Sequence, residues 1–122
     1  RPSGVLVSNG QGTALAYALF NLQERARLFI GHGEEVYEGQ IIGLHSRNDD
    51  LAGNHTKGKR HTNMRASGTD EALTLTPPVR HSLEQALEFI EEDELVEVTP
   101  QSIRLRKKLL QEHERRRADR GG

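Results

Sequence analysis

The sequence predicts a mainly β, α+β domain: a small antiparallel, barrel-like sheet with one helix packed on it and a long basic loop. Three observations carry that expectation. Short apolar runs, several of them alternating, are divided by Asn-Gly, Gly and Pro signals. Residues 83–91 have helical apolar spacing behind a capping box. Between residues 46 and 68 the apolar signal disappears, and an unstructured stretch of that length in a compact domain is usually functional or disordered. At 122 residues the chain has the size of one domain.

Taken in order, Val5-Leu6-Val7 is a short strand closed by Asn9-Gly10, a hairpin-turn signal. Residues 13–20 alternate, with Leu15, Tyr17 and Leu19 on one face and Ala14, Ala16, Ala18 and Phe20 on the other, which reads as a strand. Residues 21–27 tolerate one helical turn. Leu28-Phe29-Ile30 is a second short strand, and Gly31-His32-Gly33 a structural bend. Residues 37–45 form a strand that begins at the Gly39 bend. Order returns after the loop at residues 72–76, an alternating strand stopped by Pro77-Pro78. Ser82 caps the helix with Gln85 reaching back, and Leu83, Ala86, Leu87 and Ile90 form its apolar stripe. Glu84 suits the positive end of that helix, whereas the acids at 91–94 end it. Residues 95–99 and 102–108 alternate as strands, the latter with Ile103 and Leu105 inward and Arg104 and Arg106 outward. Residues 1–110 are therefore the domain, and 111–122 a charged tail expected to fray.

Composition narrows the function classes. Zero cysteines exclude a disulfide framework, a zinc ribbon and thiol catalysis. No apolar run is long enough to span a bilayer, so no membrane partner is expected, and the expectation is a soluble cytoplasmic monomer. The start at Arg1-Pro2-Ser3-Gly4, without an initiator Met, reads as a fragment or a processed chain. A formal net charge of −1 hides segregation: seven acids and no basic residue lie between Glu84 and Glu97. Between His55 and Arg65 stand Lys57, Lys59, Arg60 and Arg65, with no acid. Blocks of this kind are the footprint of nucleic-acid contact.

Catalytic chemistry finds no constellation. Residues 53–60 approach the nucleotide-binding P-loop, but Arg60 stands where the Mg²⁺-binding hydroxyl belongs, and the strand and helix contexts are wrong. The histidines lack metal-ligand spacing. His55 and the other loop histidines are expected to be polar residues near phosphate or base edges. Asp49, Asp50, Asp70 and Glu71 sit in polar stretches, where nothing would shift them into acid–base work. What remains is the loop. Lys57, Lys59, Arg60 and Arg65 suit a curved phosphate backbone. His61, Thr62 and Asn63 suit base edges or 2′-hydroxyls. His45 and Arg47, at the start of the loop, complete the candidate RNA-binding set. With no aromatic residue in the loop, recognition would follow backbone and shape rather than base stacking.

Five segments carry a resemblance: Leu19-Phe20-Asn21-Leu22-Gln23-Glu24-Arg25, Gly31-His32-Gly33-Glu34-Glu35-Val36-Tyr37-Glu38-Gly39, Lys57-Gly58-Lys59, Thr62-Asn63-Met64-Arg65-Ala66-Ser67-Gly68 and Leu83-Glu84-Gln85-Ala86-Leu87-Glu88-Phe89-Ile90. Together they resemble the C-terminal region of the TypA/BipA family of translational GTPases, in order and over essentially the whole chain. Ala26 stands where the family pattern has Gly, and Gly53-Asn54-His55-Thr56 and His61 replace more apolar wording. The resemblance implies a ribosome-associated parent related to elongation factor G, active in stress adaptation and large-subunit biogenesis. It also implies that GTP and Mg²⁺ belong to an N-terminal domain outside this chain, with no cofactor and no catalysis here. The long loop, 45–68 in this sequence, would then meet the acceptor end of A-site tRNA and nearby large-subunit rRNA. The competing expectation from the residues is a protein-interaction module that docks a basic partner through the acidic helix end at 91–94.

Overall fold

A computed structural model describes residues 1–56 and 74–121. Among them the chain forms β1 (Val5–Ser8), β2 (Gly12–Thr13), α1 (Ala16–Leu22), β3 (Ala26–Leu28), β4 (Glu35–Val36), β5 (Gln40–His45) and β6 (Leu51–Gly53). After the undescribed residues come α2 (Leu83–Phe89), β7 (Glu94–Val98), β8 (Ile103–Lys107) and α3 (Glu112–Gly121). The main sheet runs β6-β1-β5-β8-β7, with β3 also paired to β5, and β2 and β4 make a separate two-stranded ribbon. The α+β class holds, and the sheet is antiparallel except for the β1–β6 pair. It is an open sheet ending at β6 and β7 rather than a closed barrel.

The central strands read as unbroken apolar runs because both faces of the sheet are covered. Leu6 and Ile42 face one cluster, with Leu19 of α1, Ala14, Leu28, Ile30 and Val36. Val5, Val7 and Ile41 face the other, with Ala86 of α2, Phe29 and Leu105. The capping box forms as the sequence requires: the Gln85 amide donates to Ser82 Oγ at 3.1 Å, and the Ser82 amide to Gln85 Oε1 at 2.9 Å.

Several elements differ from expectation. Residues 13–20 are not a strand; β2 stops at Thr13 and α1 occupies 16–22, burying Ala18 and Leu19. Ala is the strongest helix former, and Ala16 and Ala18 outweigh an alternation that helical spacing satisfies as well. Asn9-Gly10 turns the chain without making a hairpin, since β1 pairs with β5 and β6 while β2 pairs with β4. The strand expected at 28–30 sits two residues earlier, at Ala26–Leu28. Thr74, Leu75 and Thr76 belong to no strand, and residues 72 and 73 of that expected strand lie outside the described residues. Residues 46–56 are not loop throughout, because β6 adds in parallel to β1.

The segment expected to fray contains α3. Glu112 and Glu114 lie in its first turn and Arg120 in its last, matching the helix dipole. Its start is tied down further. The Glu112 amide donates to Glu38 at 3.0 Å, and the Arg115 guanidinium holds the Leu109 and Leu110 carbonyls at 2.8 and 2.7 Å.

Gly39 opens β5 at φ +92°, and a Cβ there would lie 2.7 Å from the Leu110 backbone. Gly39→Ala is therefore expected to cost about 2 kcal/mol through backbone strain and the clash. A urea unfolding midpoint that falls accordingly checks this.

Candidate nucleic-acid interface

Six of the eight residues picked from the sequence, Lys57, Lys59, Arg60, His61, Asn63 and Arg65, lie outside the described residues. The structure does define both roots of the stretch that bears them, and both are held at the ends of α1. On the incoming side, the Leu15 amide at the α1 N-terminus donates to the His55 carbonyl at 2.9 Å. On the returning side, Gln23 at the α1 C-terminus grips the backbone twice. Its Nε2 donates to the Thr74 carbonyl at 2.9 Å, and its Oε1 accepts from the Thr76 amide at 2.8 Å. The Val79 amide then bonds to the Leu28 carbonyl at 2.9 Å and carries the chain along β3 toward α2.

His55 is a core residue rather than a phosphate-facing one. It is fully buried, with Nε2 3.0 Å from the Gly12 carbonyl and Nδ1 3.2 Å from Ser8 Oγ. A carbonyl only accepts, so Nε2 carries the proton, and Nδ1 shares the Ser8 hydroxyl proton with the Gly10 carbonyl, 2.7 Å from Ser8 Oγ. Burial pushes the ring's pKa down, outweighing the Gly12 hydrogen bond and the Glu35 charge, which act the other way. The neutral ring thus ties the incoming root to β1 and β2.

His45 and Arg47 are described, and they differ. His45 is buried in β5, its Nδ1 2.6 Å from the Asp49 carbonyl, so its ring closes the 45–49 turn from within. Arg47 is exposed beside it.

Asp50 and the acidic helix end meet one unforeseen residue. Lys107 is buried, and its ammonium stands 2.7 Å from Asp50, 2.9 Å from Asp93 and 2.9 Å from Glu94. Glu94 is itself buried and also accepts hydrogen bonds from the two terminal guanidinium nitrogens of Arg1. Among the described residues, these three carboxylates are the group spaced to hold a metal ion, but the ammonium fills the position a cation would take. Burial alone would lower the Lys107 pKa, yet the hydrogen bonds to Asp50, Glu94 and Asp93 prevail and it is pushed up to about 12. For Glu94 burial acts upward, and the hydrogen bonds from Arg1, Lys107 and the Glu91 amide bring it below the ordinary carboxylate value.

The family follows from the whole chain rather than from this site alone. The model of the TypA/BipA C-terminal domain matches residues 3–112. The chain belongs to the TypA/BipA C-terminal domain family.

Among similar proteins, the large ribosomal subunit assembly factor BipA of Salmonella typhimurium is 69% identical over 99% of this chain. Its namesakes in Escherichia coli K12 and Haemophilus influenzae are 68% and 65% identical over 98% of it. The chain spans about a fifth of the length of these curated relatives, 20% in each case. In this TypA/BipA C-terminal domain, reading the sequence misses Gln23 and Lys107 and places His55 near phosphate rather than in the core. Lys107 had a signal: it shares the period-2 face of Ile103 and Leu105, and the strand facing it begins at an acid, Glu94, that needed a partner. The other two bond to backbone groups distant in sequence, for which no local pattern exists.

Gln23→Ala removes the paired clamp and leaves the Thr76 amide without its partner. That amide is expected to exchange with solvent about fivefold faster or more, the equivalent of one lost hydrogen bond of about 1 kcal/mol. Hydrogen exchange followed by NMR reads it directly.

Proposed function

We propose that this domain is the non-catalytic RNA-contacting part of a ribosome-associated translational GTPase that acts in large-subunit assembly and stress adaptation. The observation that carries the reading is identity of 69% along 99% of the chain with a protein named a large ribosomal subunit assembly factor. GTP and Mg²⁺ would be bound by an N-terminal domain of the parent, a cytoplasmic monomer.

The segment 45–68 meets the acceptor end of A-site tRNA and adjacent large-subunit rRNA. Lys57, Lys59, Arg60 and Arg65 neutralise phosphates, and His61 and Asn63 hydrogen-bond base edges or 2′-hydroxyls. His45 acts from behind, holding the turn that presents Arg47. The two roots held at α1 favour this reading, since a clamped base limits the ordering entropy a loop loses on binding. The competing docking role for the acidic helix end is disfavoured by the pairing of Asp93 and Glu94 with Lys107 and by the burial of Glu94, which leaves that end with fewer uncompensated charges than its four acids suggest.

A photo-crosslinking amino acid at Thr62 of the full-length protein, bound to ribosomes with a non-hydrolysable GTP analogue, tests the reading. Crosslinks to the tRNA acceptor end and large-subunit rRNA are expected. Crosslinks confined to ribosomal proteins would overturn it.

A further inference from the structure

We propose that Arg25, Arg27 and Arg47 form a second RNA-phosphate surface where β3 meets the end of β5; the proposal rests on the RNA-contacting reading above. The described arginines differ in what their side chains meet. Arg1, Arg80, Arg104 and Arg116 each pair with a carboxylate, on Glu94, Glu34, Glu97 and Glu112 respectively. Arg106 and Arg115 satisfy backbone carbonyls. Arg25, Arg27 and Arg47 are all exposed, and none has a side-chain hydrogen bond or ion pair among the described residues. That is unusual in a chain whose 18 acids outnumber its 17 basic residues. Arg117 and Arg120 are also exposed, but they lie on α3 with Asp119 between them.

The pairing of β3 with β5 brings the backbones of the three close together. Arg27 lies opposite Leu44, and the ladder continues with the Ser46 amide donating to the Arg25 carbonyl at 3.1 Å. Arg47 follows Ser46 directly, its own carbonyl held by the Gly4 amide at 2.8 Å. The backbone at all three positions is therefore fixed while the guanidinium groups have no partner among the described residues. Arg25 and Arg27 line a shallow cleft of about 440 Å³ together with Ser46 and Thr76, and Glu24 is the one acid in its lining. The Gln23 clamp adjoins it. An unpaired guanidinium presents five donors in a planar fork that matches a phosphate, and a concave wall bearing two of them suits a backbone running across it.

The test compares Arg25→Ala/Arg27→Ala/Arg47→Ala with Lys57→Ala/Lys59→Ala/Arg60→Ala in the full-length protein, measuring affinity for large ribosomal subunits across a salt series. The arginine triple variant is expected to bind about tenfold or more weakly near 0.1 M salt. Its log–log salt slope should be shallower by about two units, since each phosphate contact contributes about 0.7–0.9. Arg25→Lys/Arg27→Lys/Arg47→Lys should keep most of the slope, and an unchanged thermal midpoint shows that folding is intact. If the arginine variant matches wild type while the loop variant is weakened, this surface is not an RNA contact and the functional reading stands. If neither variant differs from wild type, both fall. Lost affinity at unchanged slope would identify a protein face instead and overturn the phosphate assignment.

Discussion

Glu94→Ala should lower the unfolding free energy at neutral pH by about 3–5 kcal/mol, the cost of removing one partner from a buried ion pair. Glu94 joins Arg1 and Lys107, and Lys107 is itself 3% exposed, so the variant leaves an ammonium in the interior with only Asp50 and Asp93. The pH dependence has a definite sign. The folded-state pKa of Glu94 lies below its unfolded value, so its contribution is complete above the ordinary carboxylate range, about 4.3, and is lost as pH falls through the folded value. Wild type and variant should therefore differ most at neutral pH and approach one another in acid. Urea unfolding between pH 3 and 7 measures this. A difference below about 1 kcal/mol at pH 7 would mean that the cluster is solvated.

His55→Ala is the second large effect. It removes a fully buried ring and leaves Ser8 Oγ and the Gly12 carbonyl short of a partner, with an expected loss of about 2–4 kcal/mol. Here the pKa is depressed in a base. The unfolded chain takes up a proton near pH 6.5 and the folded chain resists it, so stability is complete above that value and declines as pH falls toward the folded value. Wild type should lose stability between neutrality and pH 5, whereas His55→Ala should show a flatter profile there. Because His55 anchors the incoming root, the Leu15 amide should also lose protection from hydrogen exchange in the variant.

What the sequence revealed and what it hid follow from how local each signal is. The α2 capping box, the Gly39 bend and the β7–β8 alternation lie within a few residues, and the structure contains all of them. Residues 13–20 satisfy two periods at once, so the sequence alone reads as a strand where α1 forms. The three residues of β6 pair in parallel with β1, forty-five positions away, and a parallel partner leaves no turn signature. The same reasoning covers the candidate interface. Its charge density and poverty in apolar residues were visible in residues 46–68, whereas the roots depend on Gln23 and His55 bonding to remote backbone.

The central claim is that the basic segment binds RNA phosphates from a base fixed on α1. It is tested most directly by the affinity of the full-length protein, loaded with a non-hydrolysable GTP analogue, for ribosomes carrying A-site tRNA. Wild type and Lys57→Ala/Lys59→Ala/Arg60→Ala are compared from about 50 to 200 mM salt, the range over which a multi-phosphate contact loses orders of magnitude in affinity. The account predicts weaker binding by the variant, with a slope shallower by about two to three units. Equal affinity and equal slope would show that those three charges are solvated surface, and would contradict it.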